Sequence, residues 1–209
     1  MIKDSFITRE EAKKIFEEII QVRNNSLYPF SENMENNFRK HSQIVGSIAE
    51  EIAKKTMYLN SEKAYILGLL HDCGRIKDEQ AENTFHGWIG YLYMNEKNLT
   101  EIARISITHC FYYKDFDMSL YPQNKKQLEH AKNYLKDVEY DDYDKLLQLA
   151  DMLNDMGKTC SIEYRFESIS KRYNIPQNKL ISQIKKLNEI KTYFDKKCKE
   201  NIYEFLNIK

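Results

Sequence analysis

The chain has five histidines, His41, His71, His86, His109 and His130. Three fall on apolar helical stripes. Phe38, His41, Val45, Ile48 and Ile52 are spaced 3, 4, 3 and 4, and the triplets Ala64, Leu67, His71 and Ile102, Ile105, His109 are each spaced 3 and 4. Tyr143, Leu147 and Asp151 recur every four residues on a further stretch. A single histidine on such a stripe is ordinarily a satisfied core residue. An aspartate between Leu147, Ala150 and Leu153 is different, because a buried carboxylate is costly unless it is paired or bound to a metal. His71 and Asp72 are neighbours in sequence. Adjacent helical residues diverge by about 100°, so both can reach one ion only at a helix end. Gly74 then lets the chain turn away. All six glycines lie within six residues of His41, His71, Asp72, His86 or Asp151, as a crowded ion site would need.

Such groups have to be delivered by helices, and the composition agrees. The 209 residues suit one domain, or one domain with a small appendage. At 42% hydrophobic and 31% charged residues the chain can bury a core without disulfides, which excludes disordered and collagen-like classes. Six glycines and three prolines leave little turn material for an all-β fold. The expected fold class is all-α. The capping box Thr8-Arg9-Glu10-Glu11 opens a helix over about 9–24, and a loop with Pro29 follows. Further helices are expected over about 34–57, 61–71, 85–95, 100–110, 123–136, 142–154, 162–173, 177–198 and 200–206. Phe111 to Pro122 reads as a connection. Residues 1–209 are taken as a single domain, with a core over about 34–155 and a helical appendage over about 160–209.

Charge and cysteine content narrow the function. With 32 basic and 32 acidic residues the chain lacks the basic excess of a generic nucleic-acid binder. Met1-Ile2-Lys3-Asp4 does not start a signal peptide. The longest uncharged apolar run, Ala64–Leu70, is too short to span a bilayer, so a cytoplasmic location is expected. Cys73, Cys110, Cys160 and Cys198 form no CxxC pair and read as reduced thiols. There is no G-x-S-x-G string and no Cys–His pattern with a third partner, so no protein nucleophile is indicated.

His41, the adjacent pair His71-Asp72 and the late Asp151 resemble the H…HD…D pattern of the HD-domain metal-dependent phosphohydrolase superfamily. Leu69-Leu70-His71-Asp72-Cys73-Gly74-Arg75 is similar to the L-L-H-D-[IC]-G-[KR] string of that family. Leu147-Gln148-Leu149-Ala150-Asp151 is similar to its late helix. Phe85-His86-Gly87 and Ile107-Thr108-His109 fall where members that bind two metals carry extra histidines. The resemblance covers about residues 34–155 and implies an HD-type helical bundle. It implies that His41, His71, Asp72 and Asp151 hold one ion, and that Asp72 bridges to a second held by His86 and His109. Imidazole and carboxylate donors without thiolate favour iron or manganese, with zinc or nickel as further fits. A hydroxide shared by the two ions would hydrolyse a small phosphate ester or anhydride, a nucleotide among them, with Asp72 as the catalytic residue. Cys73 and Cys110 adjoin proposed ligands, but adjacent helical residues point elsewhere, so neither is expected to ligate.

Phosphate also needs cations. Arg75 follows the pair at once, and Lys114 comes soon after His109; both are candidate substrate-binding residues. Tyr112 and Tyr113 are expected to pack, and His130 to be solvated. No His-His pair or GYP motif follows His109, so cyclic-dinucleotide cleavage is not implied. A di-iron oxygenase of the HD type and a non-catalytic metal-binding regulatory module are the competing readings.

Overall fold

The structure, a computed structural model, describes residues 6–114 and 125–208. Eleven α-helices account for most of them. They are α1 (Arg9–Asn24), α2 (Glu32–Thr56), α3 (Ser61–Leu70), α4 (Glu79–Glu82), α5 (His86–Glu96), α6 (Thr100–Thr108), α7 (Lys125–Lys136), α8 (Asp142–Met152), α9 (Ile162–Tyr173), α10 (Ile181–Cys198) and α11 (Ile202–Phe205). The all-α expectation holds. The one sheet among the described residues is a two-stranded antiparallel ribbon, β1 (Asn154–Asp155) with β2 (Lys158–Thr159).

Local chemistry explains where the boundaries fall. The Thr8 side chain accepts from Glu11 N–H while Glu11 reaches back, so α1 starts at its capping box. Ser31 caps α2 two residues earlier than the periodicity suggests. Helix α4 is a single turn capped by Asp78, which accepts from Gln80 and Ala81 N–H, and four residues carry no periodic signal. The helix expected over 142–154 stops at Met152, where the chain enters the β1–β2 turn. Gln177–Lys179 forms a 3-10 turn after Pro176, so α10 begins only at Ile181. From residue 115 the Phe111–Pro122 connection lies outside the described residues.

The long helices meet in one main core. Helices α2 and α3 approach so closely that a Cβ on Gly68 would stand 2.6 Å from the Gly46 Cα. Only glycines permit that approach, which faces the His41 helix against the His71 helix. Leu187, Ile190 and Phe194 of α10 lie in the same core as Val45, Ile52, Leu67 and Leu147. The expected appendage therefore shares apolar burial with residues 34–155. A smaller cluster, Phe85, Ile107, Phe111, Leu128, Ala131 and Leu135, joins α5, α6 and α7. Buried Arg23 of α1 binds Asp78 and donates to the Arg75 carbonyl at 3.4 Å, tying α1 to the turn before α4. No helix among the described residues is long and apolar enough to cross a membrane.

Candidate metal centre

Helix α3 ends at Leu70, and His71 and Asp72 occupy the turn beyond it, before the 3-10 turn Cys73–Ile76. That is the helix end at which adjacent side chains can converge. The turn is tight: a Cβ on Gly74 would stand 1.8 Å from the His86 carbonyl oxygen, so glycine is required for His86 to approach the pair. His41 comes from the first half of α2, and Asp151 from the last turn of α8. His86 opens α5 and His109 closes α6.

Six residues expected as ligands come together. His41 Nε2 lies 3.3 Å from His71 Nε2 and 3.1 Å from Asp151 Oδ1, and His71 Nε2 lies 3.7 Å from the same oxygen. Asp72 stands between two groups. Its Oδ2 is 4.0 Å from His41 Nε2 and 3.9 Å from His71 Nε2, whereas its Oδ1 is 3.3 Å from His86 Nε2 and 3.6 Å from His109 Nε2. The two oxygens of one carboxylate thus face different histidine pairs.

Hydrogen bonds on the far side of each ring assign the tautomers. The Nδ1–H of His71 donates to the Gly68 carbonyl at 2.7 Å, and that of His109 to the Ile105 carbonyl at 2.9 Å. His41 Nδ1–H donates to Asn154 Oδ1 at 2.8 Å, and His86 Nδ1–H to Glu79 Oε1 at 2.9 Å. The Asn154 amide is oriented in turn by its donation to the Lys158 carbonyl. All four Nε2 atoms therefore turn inward, toward carboxylate oxygens, where each can hold either a proton or a metal ion. Such an electron-rich cage suits a cation, and orientation of metal-binding histidines through the other ring nitrogen is the usual arrangement.

The electrostatics agree. Burial works against the Asp72 charge, but Arg75, His71 and His86 outweigh it and hold the carboxyl well below the usual range. Burial likewise opposes Asp151, and hydrogen bonds from His41 and His71 prevail in the same direction. Burial disfavours a charged His109, yet Cys110 and Asp72 raise it to about 9. Protons are drawn to where a metal ion would sit.

Other expected residues fall differently. Arg75 Nε donates to Asp72 Oδ2 at 2.6 Å, and its Nη1 lies 3.5 Å from Glu79 Oε2, so part of its fork serves carboxylates. Its side chain is 40% exposed. Lys114 is exposed, with its ammonium 6.0 Å from the centre of the Tyr140 ring. Tyr112 packs on the main core; Tyr113 is exposed. His130 is exposed, but its ring stacks on Trp88 at 5.3 Å. Cys73 points away, with Sγ 3.1 Å from Ser106 Oγ and its thiol pushed up to about 12 by burial. Cys110 departs from expectation. Its Sγ lies 3.2 Å from His109 Nε2 and 3.4 Å from His86 Nε2. Helix α6 ends at Thr108, so His109 and Cys110 are at a helix end, where neighbours need not diverge.

Three positioning residues escaped the sequence analysis. Asn154 and Glu79 each orient a histidine, and Arg165 of α9 binds Asp155 beside the hairpin. Glu79 sits in the polar run Lys77-Asp78-Glu79-Gln80, which carries no pattern to mark it. Arg23 and the Asp78 cap hold α4 where Glu79 can reach both the His86 ring and its backbone N–H at 3.0 Å.

The HDOD domain family model matches residues 18–110, a span that contains His41, His71, Asp72, His86 and His109. A protein of Mycoplasmoides gallisepticum named Ribonuclease Y is 31% identical over 146 residues, covering 64% of this chain and 22% of that protein. The chain thus spans about a fifth of the relative's length. No solved structure matches. The similarities support an HD-like superfamily relationship. Within that relationship, the His, Asp and Cys clusters could hold a metal ion.

Proposed function

We propose that the chain is a metal-dependent phosphohydrolase acting on a small phosphate ester or anhydride, a nucleotide among them. The observation that carries this reading is the cage itself: four inward Nε2 atoms around a carboxylate whose two oxygens face different histidine pairs. Divalent transition-metal ions, iron or manganese foremost, would supply Lewis acidity there and water acidified to near neutrality. His41, His71, Asp72 and Asp151 would hold one ion, and His86 and His109 with Asp72 the other. Asp72, in contact with both positions, is the catalytic residue of this reading.

The chain's remaining groups orient and bind. Gly68 and Ile105 carbonyls keep the Nδ1 protons, so Nε2 is the nitrogen that would bind an ion. Arg75 retains a terminal nitrogen and an exposed edge with which to hold an anionic oxygen as charge builds on it. Lys114 is the second candidate cation. The similarity to a protein named Ribonuclease Y adds RNA phosphodiesters to the substrates worth testing.

The test is an anaerobic assay of the purified chain with iron(II), manganese, zinc or nickel. Substrates should include phosphomonoesters, nucleotides, dinucleotide anhydrides and an RNA oligonucleotide. Metal-dependent phosphate release or bond cleavage, abolished by chelation, is the expected result. Arg75→Ala should lower turnover about 10- to 1000-fold with metal retained, and Lys should rescue only partly. Oxygen uptake with a mixed-valent di-iron signal, and no hydrolysis under argon, would replace the reading with an oxygenase. Bound metal without turnover of any of these compounds would leave a metal-binding module.

A further inference from the structure

The second half of the cage contains a donor that the histidine–aspartate set leaves unused. Cys110 Sγ, His86 Nε2 and His109 Nε2 form a triangle with edges of 3.2, 3.4 and 3.4 Å. Asp72 Oδ1 closes it at 3.3 and 3.6 Å from the two nitrogens. A tetrahedral ion with metal–nitrogen bonds of about 2.0–2.1 Å and a metal–sulfur bond of about 2.3 Å has donors separated by about 3.3–3.6 Å.

His86, His109 and Cys110 each offer one donor atom close enough to the other two to share a single ion. Both histidines already commit Nδ1 to Glu79 and Ile105, so Nε2 is the nitrogen that each turns toward Sγ. The thiol has one hydrogen and can serve only one of the two nitrogens. A cation at the centre serves all three.

We infer that Cys110 is a thiolate ligand of the second metal position, together with His86, His109 and Asp72 Oδ1, and that it makes this position select a thiophilic ion of the zinc, cobalt(II) or iron(II) kind over magnesium or manganese. As the metal–sulfur bond forms, the thiol proton passes to solvent; no electron is transferred. The inference rests on the metal-binding part of the reading above and not on hydrolysis. Softness of the donor decides the selectivity: thiolate prefers zinc and its neighbours, whereas carboxylate and water suit magnesium and manganese. The position built from His41, His71 and Asp151 has only nitrogen and oxygen donors, so the two positions differ in the ions they prefer.

The experiment uses the full chain loaded with zinc or with cobalt(II). X-ray absorption at the metal edge should contain a sulfur shell at about 2.3 Å. Cobalt(II) protein should show a thiolate-to-metal charge-transfer band. Both should vanish in Cys110→Ser and persist in Cys73→Ser and Cys160→Ser. Zinc affinity of the second position should fall by about tenfold or more in Cys110→Ser, as ligand-shell losses do, with manganese binding little changed. If Cys110→Ser fails to fold, the wild-type chain still decides. Zinc, but not manganese, should protect Cys110 from alkylation in peptide mass spectrometry, and a chelator should remove that protection. Bound zinc with nitrogen and oxygen neighbours only, or equal alkylation of Cys110 with and without zinc, overturns the inference and leaves the metal site standing. Failure to bind any of these ions overturns both.

Discussion

The two halves of the cage are built on different foundations. The His41–His71–Asp151 half hangs from α2, α3 and α8, all packed in the main core with Val45, Leu67 and Leu147. Its histidines are oriented by a neutral carbonyl and an amide. The His86–His109–Cys110 half sits at the start of α5 and the end of α6, over the smaller Phe85–Phe111–Leu128 cluster. His86 is oriented by a carboxylate carried on the four-residue α4. The first half offers nitrogen and oxygen donors only. The second includes sulfur and leans on the single-turn α4. Two proposed metal positions that share one aspartate would differ in the ions they prefer, because each half takes its donors from different helices.

The largest effect is expected where the halves meet. Asp72→Ala should empty both positions and reduce any metal-dependent turnover at least about a thousandfold, read by elemental analysis and kinetics. Retention of a full complement of ions would remove Asp72 from the bridge.

Next come variants that separate the halves. His71→Ala should lose the first ion and lower the melting temperature, since it also opens a hole beside the main core. His86→Ala or His109→Ala should lose the second ion and keep most of the first. Loss of both ions or of neither in the latter pair would erase the distinction between the halves.

A finer probe is Glu79→Gln. The amide cannot match a carboxylate as acceptor for both the ring and the backbone N–H of His86, so affinity for the second ion should fall about 10- to 100-fold. Metal titration should show the first position unchanged.

The smallest effect concerns the link between the halves. Thr108 donates to Asp144 Oδ1 at 2.7 Å, and Gln148 donates to the Thr108 carbonyl at 2.8 Å, joining α8 to the end of α6. Burial, with Asp141 nearby, outweighs Arg104 and the Thr108 bond and raises Asp144 from 3.8 to about 6. The folded state then holds this proton more tightly than the unfolded state. Stability from this group is therefore complete below about pH 4, declines as pH rises to about 6, and is flat above. Asp144→Asn should remove that slope, a change of about 2 kcal/mol between pH 4 and 7 in denaturant titrations. An unchanged slope would mean that Asp144 does not titrate there.

The helices and most of the donor set were legible because both are local patterns. Periodicity places His41, His71, His109 and Asp151 on apolar faces, and side-chain caps such as Thr8 mark helix starts within a few residues. His71-Asp72 before Gly74 could be read as a helix-end pair from spacing alone. The same reasoning, applied to His109 and Cys110, required knowing that α6 stops at Thr108, and helix ends are the least legible feature of a sequence. Tertiary structure alone decided how the groups divide. Asn154 reaches His41 across 113 positions, and Glu79 reaches His86 only because Arg23, 55 positions before Asp78, holds that turn. The split of Asp72 between two histidine pairs, and the closure of Cys110 on the second of them, arise from the packing of α3 against α2 and of α5 against α6. Contacts between distant segments leave no periodic trace in the chain, whereas the faces that make those contacts do.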